Sequence, residues 1–278
     1  MLKQVCQISV LRDGPLAIHS FMGPVDGDMV CSQIIETANR VVVVDAQLLR
    51  PYARELRDYV NRLGKPLDRV IVSHAHPDHW FGLEAFADVP IYALPETREQ
   101  ISQMGGSLLD YKRKTLGDLR ELVAEKAVIP THELKAGPET IDGVTLNVIK
   151  LENSEAPFLA IIELPEQRVL IAQDLVYHNV YPAVGDKSFR GEYLFDGWIG
   201  ALRDAQTKDY RLILPGHGEP TDAAVLETVI EYVSFAKKLF ESGVTPDEFR
   251  STLLGRYPHF RVPEIVDFSV VFLYFRNW

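Results

Sequence analysis

A run of three histidines and one aspartate, with the pattern His-x-His-Pro-Asp-His from His74 to His79, offers imidazole and carboxylate ligands suited to zinc and similar divalent ions. In an extended segment, His74 and His76 project to the same side. Pro77 disfavours helix at His76 and has a φ suited to open one, so the chain can aim Asp78 and His79 at an adjacent point. The spacing therefore predicts two pairs of metal ligands.

Two metal ions need more than four protein ligands, and two further candidates follow apolar strand-like runs. Asp174 follows residues 169–173, and His217 follows residues 211–216. If these runs are neighbouring strands, their ends meet at one edge of a sheet, where α/β proteins place sites on a rigid base. Asp174 is the candidate bridge between two ions roughly 3.5–4 Å apart, with a hydroxide between them. The turn around Gly216 would present His217 to the second ion.

Short, β-branched runs predict the strands, at residues 32–36, 41–45, 70–73, 144–150, 158–163, 169–172 and 212–214. Helical patterns lie between and after them, at residues 51–63, 96–104, 107–125, 195–205, 223–242, 245–254 and 263–274. Two clusters of strands with helices around them predict an α/β layered domain. Neither a linker nor a repeat interrupts the chain, so we predict one domain over 1–278. Its core is expected at about 30–220 and its C-terminal helices at about 221–278.

The composition restricts the expected partners. The chain has 29 basic and 39 acidic residues, a formal charge of −10, which disfavours nucleic acid as a partner and favours a small-molecule substrate. The start of the chain shows no signal-peptide pattern and no run reaches transmembrane length, so we expect a cytoplasmic protein without a membrane anchor. The apolar run 268–275 is expected in the core or in a homodimer contact. Cys6 and Cys31 are too few for a thiolate metal site.

These motifs together resemble the metallo-β-lactamase fold superfamily, and the resemblance extends from Val30 to about Pro220. It implies an α/β fold of four layers, an αβ/βα sandwich, with metal ions in a cleft at the edge of two packed sheets. The resemblance also implies the ligand sets: His74, His76 and a third residue for the first ion; Asp78, His79 and His217 for the second; and Asp174 for both. It further implies that Asp45 supports the ligand loop through hydrogen bonds.

The third ligand of the first ion departs from the common pattern. Many members have a histidine in a Gly-His-Thr or Gly-His-Ser stretch, whereas residues 151–157 here read Leu-Glu-Asn-Ser-Glu-Ala-Pro. This segment resembles the Thr-Glu-Ala-Pro segment of the alkylsulfatase branch, in which glutamate binds metal, so Glu155 is assigned, with Asn153 and Glu152 left open. Two divalent ions, three carboxylates and one hydroxide then sum formally to zero. We expect zinc as the bound metal. A glutamate ligand favours the harder ions Mn²⁺ and Fe²⁺ more than a histidine ligand at the same place would.

The predicted activity is hydrolysis of a small ester, lactone, thioester, sulfate ester or phosphate ester by a metal-bridging hydroxide. Asp78 is expected to orient this hydroxide or to move its proton. Tyr177 resembles the tyrosine that assists the substrate carbonyl in lactonase members, with a packed aromatic residue as the competing interpretation. The aromatic connection from Tyr177 to Trp198 is a candidate pocket wall, weighed evenly against simple packing.

Two other functions stay open at this point. Di-iron members of the superfamily reduce oxygen or nitric oxide, but they resemble His-x-Glu-x-Asp and usually carry a flavin domain. A non-catalytic metal-binding domain of the same fold is the other alternative. The shape of the loops, rather than the spacing of the ligands, decides the substrate.

Overall fold

Two β-sheets packed face to face form the centre of the computed structural model, which describes residues 5–275. Within these residues the first sheet has seven strands, in chain order from one edge to the other. They are β1 (Gln7–Asp13), β2 (Leu16–Met22), β3 (Cys31–Glu36), β4 (Val41–Val44), β5 (Leu67–Val72), β6 (Ile91–Ala93) and β7 (His132–Glu133). Neighbours from β1 to β4 pair antiparallel, and those from β4 to β7 pair parallel.

The second sheet has the order β12-β11-β10-β9-β8 in the described part of the chain. Its strands are β8 (Gly137–Ile141), β9 (Val144–Glu152), β10 (Phe158–Leu164), β11 (Val169–Tyr177) and β12 (Leu212–His217). The pairs are antiparallel except β11 with β12, which run parallel. The parallel pair brings the ends of β11 and β12 to the same edge of the sheet.

Helices cover the outer face of each sheet. In chain order they are α1 (Arg50–Arg62), α2 (Pro77–Trp80), α3 (Pro95–Leu116), α4 (Phe195–Gln206), α5 (Ala224–Glu241), α6 (Pro246–Arg256) and α7 (Glu264–Val270). Helices α1 and α3 pack on the first sheet, and α4 and α5 pack on the second. Among the described residues, no helix combines the length and the apolar character needed to cross a membrane.

The alternation of side chains in the strands explains the layers. In β4, Val41 and Val43 face α1, whereas Val42 and Val44 lie between the two sheets. Each strand of this kind is apolar on both faces because each face meets another layer. The arrangement is helix, sheet, sheet, helix, which confirms the predicted four-layer αβ/βα sandwich.

Three features differ from the predicted elements. The hairpin of β1 and β2 was not predicted, nor were the short strands β6, β7 and β8. The two helices predicted at residues 96–104 and 107–125 are wrong, because α3 continues without a break to Leu116. Gly105 does not end the helix; it lets α3 approach Trp80, since a Cβ there would lie 3.0 Å from the indole ring.

The C-terminal helices α5, α6 and α7 pack into the same apolar core as β11 and α4. In the run 268–275, Leu273 is buried in this core, while Phe268, Val271 and Phe275 are exposed. The predicted domain over 1–278 stays a prediction, because residues 1–4 and 276–278 lie outside the described residues.

Candidate metal centre

The histidine-rich run lies at the end of β5. His76 has an extended backbone, with φ −69° and ψ 137°, and α2 begins at Pro77. This confirms the predicted turn, since proline excludes helix before it and favours helix after it. The first turn of α2 then carries Asp78 and His79 toward the same cleft as His74.

Asp174 lies within β11 rather than beyond its end, so the predicted strand end at residue 172 is wrong. The register of β11 against β12 shifts twice, between Ile171 and Gln173 and between Gln173 and Tyr177. Gln173 also has a positive φ of 44°. Such irregularities interrupt the alternation of side chains, and they allow a carboxylate to leave the sheet at a position where the strand continues.

His217 is the last residue of β12, so the predicted turn begins after it. Gly216 has a different purpose from turning the chain: a Cβ there would lie 1.8 Å from Asp174 Oδ1 and 2.8 Å from Asp174 N. Glycine is therefore required for close approach of β12 to the shared carboxylate. The turn itself uses Gly218, with φ 94°.

The predicted metal ligands form two groups that share one residue. Each group offers four ligand atoms that lie within 4.8 Å of one another. The first group is His74, His76, Glu155 and Asp174, and the second is Asp78, His79, Asp174 and His217. Asp174 Oδ1 lies 3.0 Å from His79 Nε2, and Asp174 Oδ2 lies 3.6 Å from His74 Nε2. Its carboxylate therefore faces both groups.

The donor atoms of this site fit divalent metal ions. His74 Nε2, His79 Nε2, Glu155 Oε2 and Asp174 Oδ1 are buried, and among the described residues none of them has a hydrogen-bond partner outside the ligand groups. A buried polar atom left unsatisfied costs about 1–3 kcal/mol, and these four atoms face one another where a metal ion would satisfy them. Lone pairs on imidazole nitrogen and carboxylate oxygen are the ligands that zinc, manganese and iron accept.

Each site histidine is held by a partner outside the cluster. The ring nitrogens and partners are His74 Nδ1 with Ser73 Oγ at 2.9 Å, His76 Nε2 with Asp186 Oδ2 at 3.2 Å, His79 Nδ1 with Asp45 Oδ2 at 2.7 Å, and His217 Nδ1 with the carbonyl oxygen of Asp28 at 2.7 Å. Because carboxylate and carbonyl oxygens only accept, the proton lies on the outer nitrogen of the neutral ring and the inner nitrogen keeps its lone pair.

Asp45 connects these partners, in the way that the resemblance implied. Fully buried and with φ 64°, it accepts hydrogen bonds from the backbone N–H of Ser73 at 2.8 Å and from the Ser73 hydroxyl at 2.7 Å. It also accepts from the side chain of Gln173 and from His79. Since the Ser73 hydroxyl donates to Asp45, its oxygen is left to accept from His74.

Opposite charges shift the pKa values of the second group in the metal-free protein. Burial alone would raise the pKa of Asp78, but His79 and His217 hold it well below its usual range. Burial would lower the pKa of His217, yet Asp174 and Asp78 raise it to about 10. These groups therefore form a compact set of mutually stabilising charges, as is typical of functional sites.

Glu155 differs from the other carboxylates. Burial raises its pKa to about 8, an effect that His76 opposes and Asp174 reinforces. Of the three residues considered for the third ligand, Glu155 alone lies in the first group. Glu152 is exposed and pairs with Lys150 at 2.9 Å, and Asn153 is exposed with φ 54°. Among these three candidates, the structure thus brings Glu155 into the cluster, and its binding of a metal ion stays a prediction.

The Tyr177 hydroxyl donates to Asp174 Oδ2 at 2.7 Å, and its ring stacks on His217 with centroids 4.7 Å apart. Burial and the nearby Asp174 raise its pKa well above the usual range. In this arrangement Tyr177 orients the shared carboxylate, and its action on a substrate stays a prediction. Of the aromatic connection, Tyr181, Phe195 and Trp198 are core residues.

Several supporting residues were not predicted from the sequence, namely Asp28, Ser73, Gln173 and Asp186. Ser73 and Gln173 directly precede the candidate ligands His74 and Asp174 in the sequence, and this adjacency could have identified them as supporting residues. Asp28 and Asp186 gave no such signal, because they lie 189 and 110 residues from the histidines that they contact.

The fold and the two ligand groups are those of a known class of proteins, which comparison with protein families identifies. The model of the metallo-beta-lactamase superfamily matches residues 26–217 of this chain. The chain belongs to this superfamily.

Solved structures support the same fold. The chain is similar to a metallo-beta-lactamase from Pontibacter korlensis, with a TM-score of 0.61, 17% identity, and coverage of 82% of this chain and 99% of that one. It is also similar to the metallo-beta-lactamase FIM-1 from Pseudomonas aeruginosa in its mono-zinc form, with a TM-score of 0.60, 14% identity and coverage of 82% and 96%. At such identities the likeness shows a shared fold.

Two curated proteins are similar in sequence. A linear primary-alkylsulfatase from Pseudomonas sp. (strain ATCC 19151) is 23% identical over 256 residues, covering 77% of this chain and 48% of that protein. The uncharacterized protein YobT of Bacillus subtilis (strain 168) is 29% identical over 113 residues, covering 39% and 46%. The chain therefore spans about half the length of the curated relatives it matches.

Proposed function

We propose that this protein is a hydrolase that depends on two divalent metal ions and acts on a small ester-like molecule. The observation that carries the proposal is the pair of ligand groups that share Asp174 and direct buried, unpartnered lone pairs at each other. His74, His76, Glu155 and Asp174 would hold the first ion, and Asp78, His79, Asp174 and His217 the second. Bound divalent ions supply an activated water as nucleophile and polarise the substrate oxygen.

Asp78 is suited to manage the proton of the attacking water. Its side chain is 18% exposed, whereas those of Glu155 and Asp174 are enclosed, at 0% and 1%. Despite its burial, His79 and His217 keep the pKa of Asp78 low, so it is ionised at neutral pH and can accept a hydrogen bond from water. The enclosed carboxylates lack this access to solvent.

A groove between Phe158, Phe189 and the start of α3 has the size of a small-molecule site. Its volume is about 370 Å³, within the range typical of ligand pockets. Phe158 and the exposed Phe189 form one wall, with ring centroids 5.5 Å apart, and the first turns of α3 form the other. Phe158 follows Glu155 by three residues in the chain, and the groove is our candidate for the apolar part of the substrate.

The substrate candidates are carboxylic esters, lactones, thioesters, and sulfate or phosphate esters. The similarity to a linear primary-alkylsulfatase makes alkyl sulfates the first compounds to assay. We propose zinc as the resident metal, and the three carboxylates of the site also suit the harder ions Mn²⁺ and Fe²⁺.

Elemental analysis combined with a substrate panel tests the proposal. The purified protein, reconstituted separately with Zn²⁺, Mn²⁺ and Fe²⁺, is expected to hold two ions per chain and to cleave one of these ester classes. Asp78→Ala should lower kcat on the order of 10²–10⁴-fold by removing a ligand and proton acceptor. Asp209→Ala is the control, since that side chain is 87% exposed and pairs with Arg168.

Three outcomes would contradict the proposed hydrolase. Less than one ion per chain with no hydrolysis after reconstitution would exclude the metal-dependent activity. Two bound ions without hydrolysis of any ester class would favour a non-catalytic metal-binding domain. Iron as the resident metal with oxygen reduction would favour the di-iron oxidoreductase.

A further inference from the structure

His76 is oriented in the opposite sense to the other site histidines. His74, His79 and His217 direct Nε2 into the cluster, with Nδ1 held from outside. In His76 it is Nδ1 that faces Glu155 Oε1, at 3.4 Å, while Nε2 faces Asp186 Oδ2, at 3.2 Å. The outer end of this ring therefore depends on a carboxylate from a distant loop.

We propose that Asp186 is a positioning residue that accepts a hydrogen bond from His76 Nε2–H and thereby presents Nδ1 to the first metal ion. This inference rests on the proposed function, since it presupposes the metal centre. A neutral imidazole carries one proton, and a carboxylate on Nε2 keeps that proton there and leaves the Nδ1 lone pair free. Without Asp186 the ring could rotate or place its proton on Nδ1.

His76 needs a hydrogen-bond partner such as Asp186 because this part of the site is partly exposed to solvent. The side chains of His79 and Asp45 are fully buried, so neighbouring atoms hold the ring of His79 from every side. By contrast, the side chains of His76 and Asp186 are 22% and 20% exposed. Packing alone leaves the His76 ring freer, and the hydrogen bond supplies the missing constraint.

The loop of Asp186 is itself held in place. Asp186 Oδ1 accepts a hydrogen bond from the backbone N–H of Lys187 at 3.1 Å, and its carbonyl oxygen accepts one from Leu194 N–H at 3.1 Å. These bonds tie Asp186 to the residue that follows it and to the end of the loop at Leu194. Its position is thus determined by the backbone rather than by the reach of a flexible side chain.

The C-terminal helix anchors this loop. Ser269 Oγ accepts a hydrogen bond from Val184 N–H at 3.0 Å, and the Tyr193 hydroxyl donates to the carbonyl oxygen of Leu273 at 2.9 Å. Gly185 packs directly on Leu273, where a Cβ would lie 2.9 Å from its side chain. The region beyond residue 217, which the superfamily model does not match, therefore supports a metal ligand through Asp186.

Cobalt titration of the metal-free full chain tests this inference, with Co²⁺ alone as the probe and its visible absorption bands as the signal. In Asp186→Ala, the affinity for one of the two ions is expected to fall about 10–100-fold, while the other stays close to wild type. Asp186→Asn keeps an oxygen acceptor in a side chain of the same size, so its affinity for that ion should fall less than in Asp186→Ala. Asp196→Ala is the control, because that exposed carboxylate near the same loop pairs with Lys237.

The outcomes of the titration distinguish a failure of the inference about Asp186 from a failure of the proposed function. Two Co²⁺ sites of wild-type affinity in Asp186→Ala, with an unchanged spectrum, would overturn the inference. A wild-type chain that binds fewer than two ions would instead overturn the proposed function. If Asp186→Ala fails to fold, Asp186→Asn supplies the same comparison. In Ser269→Ala, a lower Co²⁺ affinity at the site that Asp186→Ala also weakens would support anchoring of the loop by the C-terminal helix. An unchanged affinity would overturn the anchoring.

Discussion

Glu155 determines the charge of the first ligand group, since it supplies a carboxylate where the resemblance led us to expect histidine. Its side chain is fully buried beside His74 and His76, and burial raises its pKa to about 8. A carboxyl group in such a place becomes stable as an anion only beside a cation. Its burial therefore argues for a cationic partner beyond His76, which a metal ion would supply.

Replacing this carboxylate gives the first residue-scale prediction. Glu155→Gln keeps the size but removes the charge, so the affinity of the first site should fall by at least the ~100-fold that loss of an outer partner can cost. Glu152→Gln, at an exposed position three residues before, should bind two ions as the wild type does. Elemental analysis after dialysis measures the metal content of both variants. Loss of an ion in Glu152→Gln, but not in Glu155→Gln, would reverse the assignment.

The strands β11 and β12 position the shared ligand through irregularities rather than through regular pairing. Their register shifts on both sides of Gln173, and Asp174 lies in the second shifted stretch, between Gln173 and Tyr177. On the neighbouring strand, Gly216 leaves space for the carboxylate that no larger residue could leave. The position of the carboxylate that the two groups share is thus a property of two strands together.

A pair of glycine substitutions tests this element. Gly216→Ala would place a Cβ 1.8 Å from Asp174 Oδ1, so β11 must shift; we expect a loss of about 1–3 kcal/mol in unfolding free energy and of bound metal. Gly200→Ala is the matched control, because its Cβ would meet open space on α4 and should stabilise the protein by about 0.5–1 kcal/mol. Denaturant unfolding and elemental analysis distinguish the two. Equal effects of both substitutions would contradict the close approach.

At the scale of the whole molecule, a buried histidine that belongs to neither ligand group, His19, couples stability to pH. His19 on β2 lies between Tyr59 of α1 and Glu36 of β3, at 2.7 Å and 3.0 Å. Burial lowers its pKa below the ordinary 6.5, although Glu36 opposes the shift. As the pH falls below 6.5, the unfolded chain takes up a proton that the folded protein does not, so the unfolding free energy decreases.

His19→Gln keeps hydrogen-bonding groups but does not titrate, so it isolates this effect. The unfolding free energy of the wild type relative to the variant should decrease as the pH is lowered from about 7.5 to about 5. Comparing the two proteins cancels the acid-induced loss of metal that both undergo. His132→Gln, at an exposed position of β7, controls for the removal of an imidazole. A difference from the variant that is constant over this pH range would contradict the prediction.

The order of the four layers was implied by the resemblance to the superfamily, whereas the candidate metal ligands and several strands could be predicted because their signals are local. The run from His74 to His79 contains its own turn, since Pro77 acts on the residues directly beside it. The Val41–Val44 strand is apolar throughout, which indicates burial on both faces. In both cases the physical constraint acts over a few neighbouring positions. Glu155 was instead assigned because residues 154–157 resemble a segment of the alkylsulfatase branch.

Other features were decided only by the tertiary structure. The bulges beside Asp174 depend on the pairing of β11 with β12, and the pairing of Asp186 with His76 joins residues 110 positions apart. Backbone sterics and periodicity carry no information about such contacts. They arise when a loop is packed against another element, as the Asp186 loop is against Ser269 and Leu273. The sequence by itself therefore determined which side chains are candidate ligands, and the packing of distant segments decided how each of these side chains is held.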